Sequence, residues 1–192
     1  MLLWIVLALG WIGVLLLAIS LFRINALTGI RSAVGDGADI VVSVSPRLTP
    51  SAAEQFAHGL APLEPLWIED LVPSWPPDPL ERISGRLNQP LAAGRGVTPD
   101  ISLELARVSL VDHLIVDPGR VGGLLEARRI AALAEIYHLG VIVACSGGSV
   151  SLRDALQLAA VVPNFSVIEV PRGLAQVERG SILIVPQAEA TS

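Results

Sequence analysis

The chain has 192 residues, of which 52% are hydrophobic, and its mean hydropathy of +0.63 is high for a soluble protein. Its net charge of −5, without a basic run, argues against nucleic acid as a partner. The basic residues other than histidine are all arginine, so the chain offers no lysine as a general base or Schiff-base nucleophile.

Residues 2–22 form an uncharged apolar run that predicts a membrane-spanning helix. At about 1.5 Å per residue, a helix of this length reaches roughly 30 Å, the thickness of a bilayer's hydrocarbon core. A cleaved signal peptide and a buried core helix are the alternatives, although no basic residue precedes the run and no small-residue cleavage site follows it. We therefore expect residues 1–29 to anchor the chain in a membrane, and residues 30–192 to form a second unit with a short C-terminal tail.

Two arginines, Arg23 and Arg31, follow the apolar run, and nothing basic precedes it. The positive-inside rule then predicts that the remainder of the protein faces the cytoplasm. A soluble cytoplasmic protein is the alternative. The one cysteine, Cys145, excludes an internal disulfide and fits a reducing compartment.

Apolar runs rich in β-branched residues alternate with helix-like stretches through the rest of the chain. The predicted strands cover residues 39–44, 66–68, 90–93, 113–116, 141–144 and 166–169, and the clearest helices cover residues 51–60, 100–108, 124–138 and 151–160. Thr49 and Thr98 each precede a proline, which is the pattern of a helix start. A repeated alternation of strand and helix predicts a parallel sheet with crossover helices.

Six strand-helix units at a spacing of about 25 residues predict an α/β protein, a partial TIM-type (β/α) barrel. An open dinucleotide-binding sheet is less consistent with the sequence, because no glycine-rich phosphate loop follows the first strand. Residues 73–79 read as a proline-rich loop before a short helix. The tail after residue 173 predicts one short β segment, at residues 181–186.

Four stretches together resemble the barrel domain of the enolase superfamily, in its mandelate racemase and muconate-lactonizing branch. They are residues 40–73, 91–96, 111–141 and 146–169, and the most specific piece is the "GRVGG" turn and the "EARRIAALAE" helix at residues 119–135. The resemblance covers roughly residues 30–185 in unbroken order. It implies that two further barrel strands and a capping domain would stand before residue 30, so we expect open sheet edges.

The same resemblance implies a Mg²⁺ site made by carboxylates at the ends of three consecutive strands. Mg²⁺ prefers oxygen ligands and would stabilise an enolate formed next to a substrate carboxylate. At the first strand end, Ser43 and Ser45 stand where the family has an Asp-x-Asn pattern, and at the second Glu69 is retained. At the third, Gly94 is followed by Arg95 instead of a glutamate.

Arg95 therefore places a permanent cation where the family would hold a metal ligand. Two unit charges about 4 Å apart interact by about 4 kcal/mol at an effective dielectric constant near 20, and a divalent ion doubles that energy. We therefore expect no cofactor in this chain, although Mg²⁺ is expected for the family. Arg95 is predicted to take the vacated metal position and to pair with Glu69.

The family's acid and base groups are only partly present. The resemblance implies catalytic positions at Asp117 and Glu169, whereas Ala144 stands where some members have a histidine base. Without lysine or that histidine, we expect Asp117 and Glu169 to be idle. Glu69 and Asp70, read without the family, are acids that end a strand and face solvent.

Three hypotheses about function follow, and the balance favours a protein that is not an enzyme. The first is a mandelate racemase-like barrel that has lost proton abstraction and keeps a binding role, a pseudoenzyme. The alternative is an active racemase, dehydratase or cycloisomerase that acts on a small carboxylate through an enolate, with Arg95 binding the substrate carboxylate. The third is an assembly role, in which an oligomer covers the open barrel edges.

Overall fold

A computed structural model describes residues 28–29, 31–33, 35, 39–44, 48–169, 175–178 and 181–184. Its main element is a sheet of six parallel strands in the order β1-β2-β3-β4-β5-β6. These strands are β1 (Val41–Ser43), β2 (Trp67–Glu69), β3 (Leu91–Ala93), β4 (His113–Val116), β5 (Gly140–Val143) and β6 (Phe165–Ile168). Each strand pairs with its neighbours in sequence, which makes a half-barrel and confirms the prediction of a partial TIM-type barrel.

Helices connect these strands on one side of the sheet. They are α1 (Pro50–Leu60), α2 (Asp78–Ser84), α3 (Pro99–Val108), α4 (Pro118–Val121), α5 (Leu124–Ile136) and α6 (Ser149–Val161), with a 3-10 turn at Ala61–Leu63. Two further strands, β7 (Ala175–Glu178) and β8 (Ser181–Ile184), pair antiparallel in a separate sheet. The sequence predicted one β segment in this tail, and it missed β7 and α4.

The two faces of the six-stranded sheet carry different amounts of apolar packing, because alternate strand residues point to opposite faces. The outer face belongs to the main hydrophobic core, which the helices complete. The inner face carries a small separate cluster, made of Trp67, Ala92, Ile115, Ile142 and Ala144. The helix-covered face is therefore the main source of stability, and the inner face is free to form a site.

The predicted membrane helix at residues 2–22 lies outside the described residues. Within the part of the chain that the structure describes, no helix is long and apolar enough to cross a membrane. Arg31, in the short described stretch before β1, contacts the 3-10 turn that precedes β2. Its Nε and Nη2 donate to the carbonyl oxygen of Leu63, at 3.2 and 2.9 Å.

Candidate functional site

The carboxyl ends of the parallel strands bring together an arginine and several carboxylates. Glu69 is the last residue of β2, Arg95 follows β3 by two residues, and Glu169 directly follows β6. The Nη2 atom of Arg95 donates to Oε2 of Glu69 at 2.9 Å and to Oε1 of Glu169 at 2.7 Å. The predicted pairing of Arg95 with Glu69 is present, and it extends to a third strand that the prediction did not include.

Asp70 adds a third carboxylate to this group, which we call the arginine–carboxylate cluster (Glu69, Asp70, Arg95 and Glu169). Oδ2 of Asp70 lies 3.6 Å from Nε of Arg95, and Oδ1 accepts a hydrogen bond from the Ser74 hydroxyl at 3.4 Å. Glu69 and Asp70 are only 2% and 4% exposed, so the expectation that they face solvent was wrong. The reason is local, since the following Leu71 and Val72 are themselves buried and keep the chain inside the protein.

Trp67 is a second hydrogen-bond donor to the carboxylate of Glu69. Residues 67 and 69 share one face of β2, and the indole Nε1 of Trp67 donates to Oε1 of Glu69 at 2.9 Å. The two oxygens of Glu69 are thus divided between Trp67 and Arg95. The ring of Trp67 also packs against His113, with 5.0 Å between centroids, and burial lowers the pKa of that histidine.

The electrostatics of the cluster are unbalanced, because one guanidinium faces three carboxylates. The pKa of Arg95 is raised, first by its hydrogen bond to Glu169, and burial only partly opposes this. The pKa of Glu169 is also raised, because burial disfavours its charged form; the hydrogen bond from Arg95 opposes this shift, and the charge of the neighbouring Glu69 adds to it. With all four groups ionised, the cluster carries a charge of −2 (+1 from Arg95 and −3 from the three carboxylates).

A cavity of about 650 Å³ opens beside the cluster on the inner side of the sheet. Apolar side chains form part of its wall, and the polar part is formed by Asp39, Ser43, Glu69, Arg95 and Glu169. Ser43 lies opposite Glu69 in the pairing of β1 with β2. The structure therefore brings Ser43, Glu69, Arg95 and Glu169 to one cavity.

Asp117 lies apart from this cavity and supports the loops after β4 and β5. Its carboxylate accepts hydrogen bonds from the backbone of Gly119 at 2.9 Å and of Ser146 at 3.0 Å, and also from the Ser146 hydroxyl. Arg120 donates to that hydroxyl at 2.9 Å. Ala144 lies in the inner apolar cluster, so this position supplies no acid or base.

The donor chemistry of the cluster does not fit a divalent cation. Mg²⁺ takes octahedral oxygen ligands, and here the guanidinium of Arg95 is within hydrogen-bond distance of Glu69 and Glu169. No group of three or more His, Cys, Asp or Glu side chains among the described residues is arranged to hold a metal ion. The guanidinium of Arg95 supplies one positive charge against the three negative charges of these carboxylates.

The comparison with known proteins agrees with this architecture. Residues 23–188 match the family model of the enolase C-terminal domain-like proteins, and the chain belongs to that family. It is 28% identical over 148 residues to a D-xylonate dehydratase of Haloferax volcanii. The match covers 77% of this chain and 36% of the relative, so the chain spans little more than a third of that protein's length.

Solved structures share the fold. A mandelate racemase/muconate lactonizing enzyme-like protein of Rubrobacter xylanophilus is 29% identical, with a TM-score of 0.73 over 77% of this chain and 38% of that one. An enolase of Pantoea ananatis, solved with bound d-gluconate and Mg, superposes with a TM-score of 0.75 over 86% of this chain and 43% of that one. At 20% identity, this match shows that the two proteins share a fold and shows nothing further.

Proposed function

We propose that this chain is a non-catalytic member of the enolase superfamily, in which the side chain of Arg95 takes the place of the divalent cation. The single observation that supports this best is the pair of hydrogen bonds from one Arg95 nitrogen to Glu69 and Glu169. Charge-assisted hydrogen bonds to ionised partners are the stronger kind. The cluster then has a binding or structural role and does not abstract protons.

A metal would have to displace this arginine before it could reach Glu69. Glu69 is almost fully buried, and removing one partner from a buried pair leaves an uncompensated charge. Repulsion between Mg²⁺ and Arg95 adds several kcal/mol at about 4 Å. The chain is therefore expected to bind Mg²⁺ no better than an ordinary acidic surface does.

The second candidate is a dehydratase of a small sugar acid, and the observation in its favour is the similarity to the D-xylonate dehydratase. In that case Arg95 would bind the substrate carboxylate. The geometry disfavours this role, because Glu69 and Glu169 already occupy Nη2 of Arg95 and the whole cluster is net negative. A substrate carboxylate would be repelled, and protonation of Glu169 would lower the net charge of the cluster only from −2 to −1.

One experiment separates the two candidates on the full chain. Calorimetric titration with Mg²⁺, followed by D-xylonate and D-gluconate with and without Mg²⁺, measures binding, and chromatography of the same mixtures measures dehydration. A thermal melt establishes that the preparation is folded. We expect a cooperative melt with neither metal-dependent acid binding nor product.

Turnover would support the dehydratase instead, provided that it depends on the cluster. The matched variants are Glu69→Gln, which removes the buried carboxylate, and Glu104→Gln, which changes a carboxylate on the surface of α3. Activity that Glu69→Gln abolishes and Glu104→Gln leaves intact would overturn the proposal.

A further inference from the structure

Three apolar side chains on the inner side of the half-barrel are only partly buried. Val41, Leu66 and Val167 line the 650 Å³ cavity and remain 41%, 42% and 36% exposed. We call these three residues the inner wall. They precede Ser43, Glu69 and Glu169 by two or three residues, so the inner wall lies on the amino side of the charged cluster.

The inner wall adjoins the two ends of the sheet. Among the described strands, β1 and β6 each pair on one side only, so both present unpaired backbone groups. Val41 belongs to β1 and Val167 to β6, and both side chains face the same cavity. An occupant of this cavity would therefore cover apolar surface from both open ends at once.

The chain itself contains a segment with matching chemistry. Residues 2–22 carry no charged side chain, and only Gly10, Gly13 and Ser20 interrupt the apolar run. Arg31 is hydrogen-bonded to Leu63, three residues before Leu66 of the inner wall. Five residues lie between Phe22 and Thr28, and a step of six positions spans at most about 20 Å, so the segment is tethered close to the wall that it would cover.

We propose that residues 2–22 of this chain pack against the inner wall and fill the open side of the half-barrel. An uncharged segment buries the apolar wall without placing a further charge beside Glu69 and Glu169. A second copy of the chain fits less well, because it would bring two net-negative clusters together. This inference does not depend on whether the cluster is catalytic.

Disulfide cross-linking on the full chain tests the docking. Cys145 is the one cysteine and is buried, so Cys145→Ala gives a background without thiols. Into it we would place Val14→Cys, in the middle of the segment, together with Val167→Cys on the inner wall. The matched control joins Val14→Cys with Val150→Cys on helix α6, where Val150 is 72% exposed and does not line the cavity.

The expected result is an intramolecular disulfide that forms with Val167→Cys at least about tenfold faster than with Val150→Cys, because docking gives the first pair a high effective concentration. Equal rates for the two pairs would overturn the proposal. Disulfides only between molecules would overturn it in favour of a second copy. No cross-linking either with or without lipid vesicles, together with quenching of Trp4 and Trp11 by brominated lipid, would overturn it in favour of a membrane anchor.

A second measurement covers the case in which a cysteine variant does not fold, as a thermal melt would reveal. Val14→Asp places a charge in the middle of the segment. If the segment covers the inner wall, amide hydrogen exchange in β6 accelerates at least about tenfold, while exchange in the outer helix α5 is unchanged. Unchanged exchange in β6 would contradict the docking.

Discussion

Trp67 donates its indole hydrogen to Glu69, two residues further along the same strand, at 2.9 Å. Replacing Trp67 by Phe keeps most of the ring and leaves Oε1 of a carboxylate that is 2% exposed without this donor. We expect the free energy of unfolding to fall by about 1 to 3 kcal/mol. Chemical denaturation measures the loss, with Trp75→Phe as the control because Trp75 is 50% exposed. An equal effect of the two substitutions would contradict the role of this hydrogen bond.

Removing the charge of Arg95 should be more costly than removing an arginine at the surface. Arg95→Gln leaves the buried Glu69 without a cation. We expect the free energy of unfolding to fall by about 2 to 3 kcal/mol, which is less than for a fully buried pair because Arg95 is partly exposed. Arg107→Gln breaks an exposed pair with Glu104 and should cost less than about 0.5 kcal/mol. Urea denaturation of both variants checks the difference, and a wild-type midpoint for Arg95→Gln would show that the cluster is not stabilising.

The stability of the protein should rise as the pH falls through the raised pKa of Glu169 towards the ordinary value of 4.5. In that window the folded state holds a proton that the unfolded state has released, so acid favours folding at this group. Glu169→Gln should remove this part of the pH dependence, and Glu104→Gln should keep it. Denaturation between pH 4.5 and neutrality, with the wild type and both variants, measures the difference. Identical pH profiles for wild type and Glu169→Gln would refute the shift.

Reversing the charge at position 95 should create a response to metal. Arg95→Glu sets a fourth carboxylate beside Glu69, Asp70 and Glu169, so the variant should be less stable than the wild type without metal. Millimolar Mg²⁺ should then raise its melting temperature, as a ligand of the folded state does. Arg95→Gln is the control and should show a smaller rise, because it removes the cation without adding a carboxylate ligand. A similar Mg²⁺ response in the wild type would count against the proposed role of Arg95.

Gly140 tests the packing at the other end of the inner face. A Cβ atom at this position would overlap the His113 imidazole and the Ser166 hydroxyl. Gly140→Ala should therefore cost about 1 to 3 kcal/mol of stability, and His113→Ala should recover part of that loss. Gly85→Ala is the control, since nothing lies within 4 Å of its Cβ position. Thermal melts of the wild type, Gly140→Ala, its combination with His113→Ala, and Gly85→Ala measure these differences. A Gly140→Ala variant as stable as the wild type would contradict the register of β4 and β5.

Local patterns in the sequence predicted the strands well. β4 matches its predicted bounds, and β5 and β6 each begin and end one residue before theirs, because β-branched runs mark buried parallel strands. Thr49 and Thr98 do occupy N-cap positions before helix-starting prolines, as the sequence indicated. β7 was missed because "AQVE" contains no apolar run and only one β-branched residue, although Gly173 and Gly180 flank it.

The site was harder to predict because its contacts join distant parts of the chain. The family positions identified Glu69, Arg95 and Glu169, but the ion pair between Arg95 and Glu169 links residues 74 positions apart. No periodic pattern encodes such a contact, nor the left-handed backbone at Asp70 that leaves its carboxylate buried beside Arg95. The indole hydrogen bond of Trp67 could have been anticipated, since alternate residues of a strand share a face.

The sequential strand order has a consequence for how the chain assembles. Ser43 and Glu69, which pair between β1 and β2, are 26 positions apart, so joining neighbouring strands closes only short loops. The link from Arg95 to Glu169 closes a loop of 74 residues and requires β3 through β6 to be in place. This ion pair should therefore form after the transition state for folding. The cluster should then slow the unfolding of the native protein and have little effect on its folding rate.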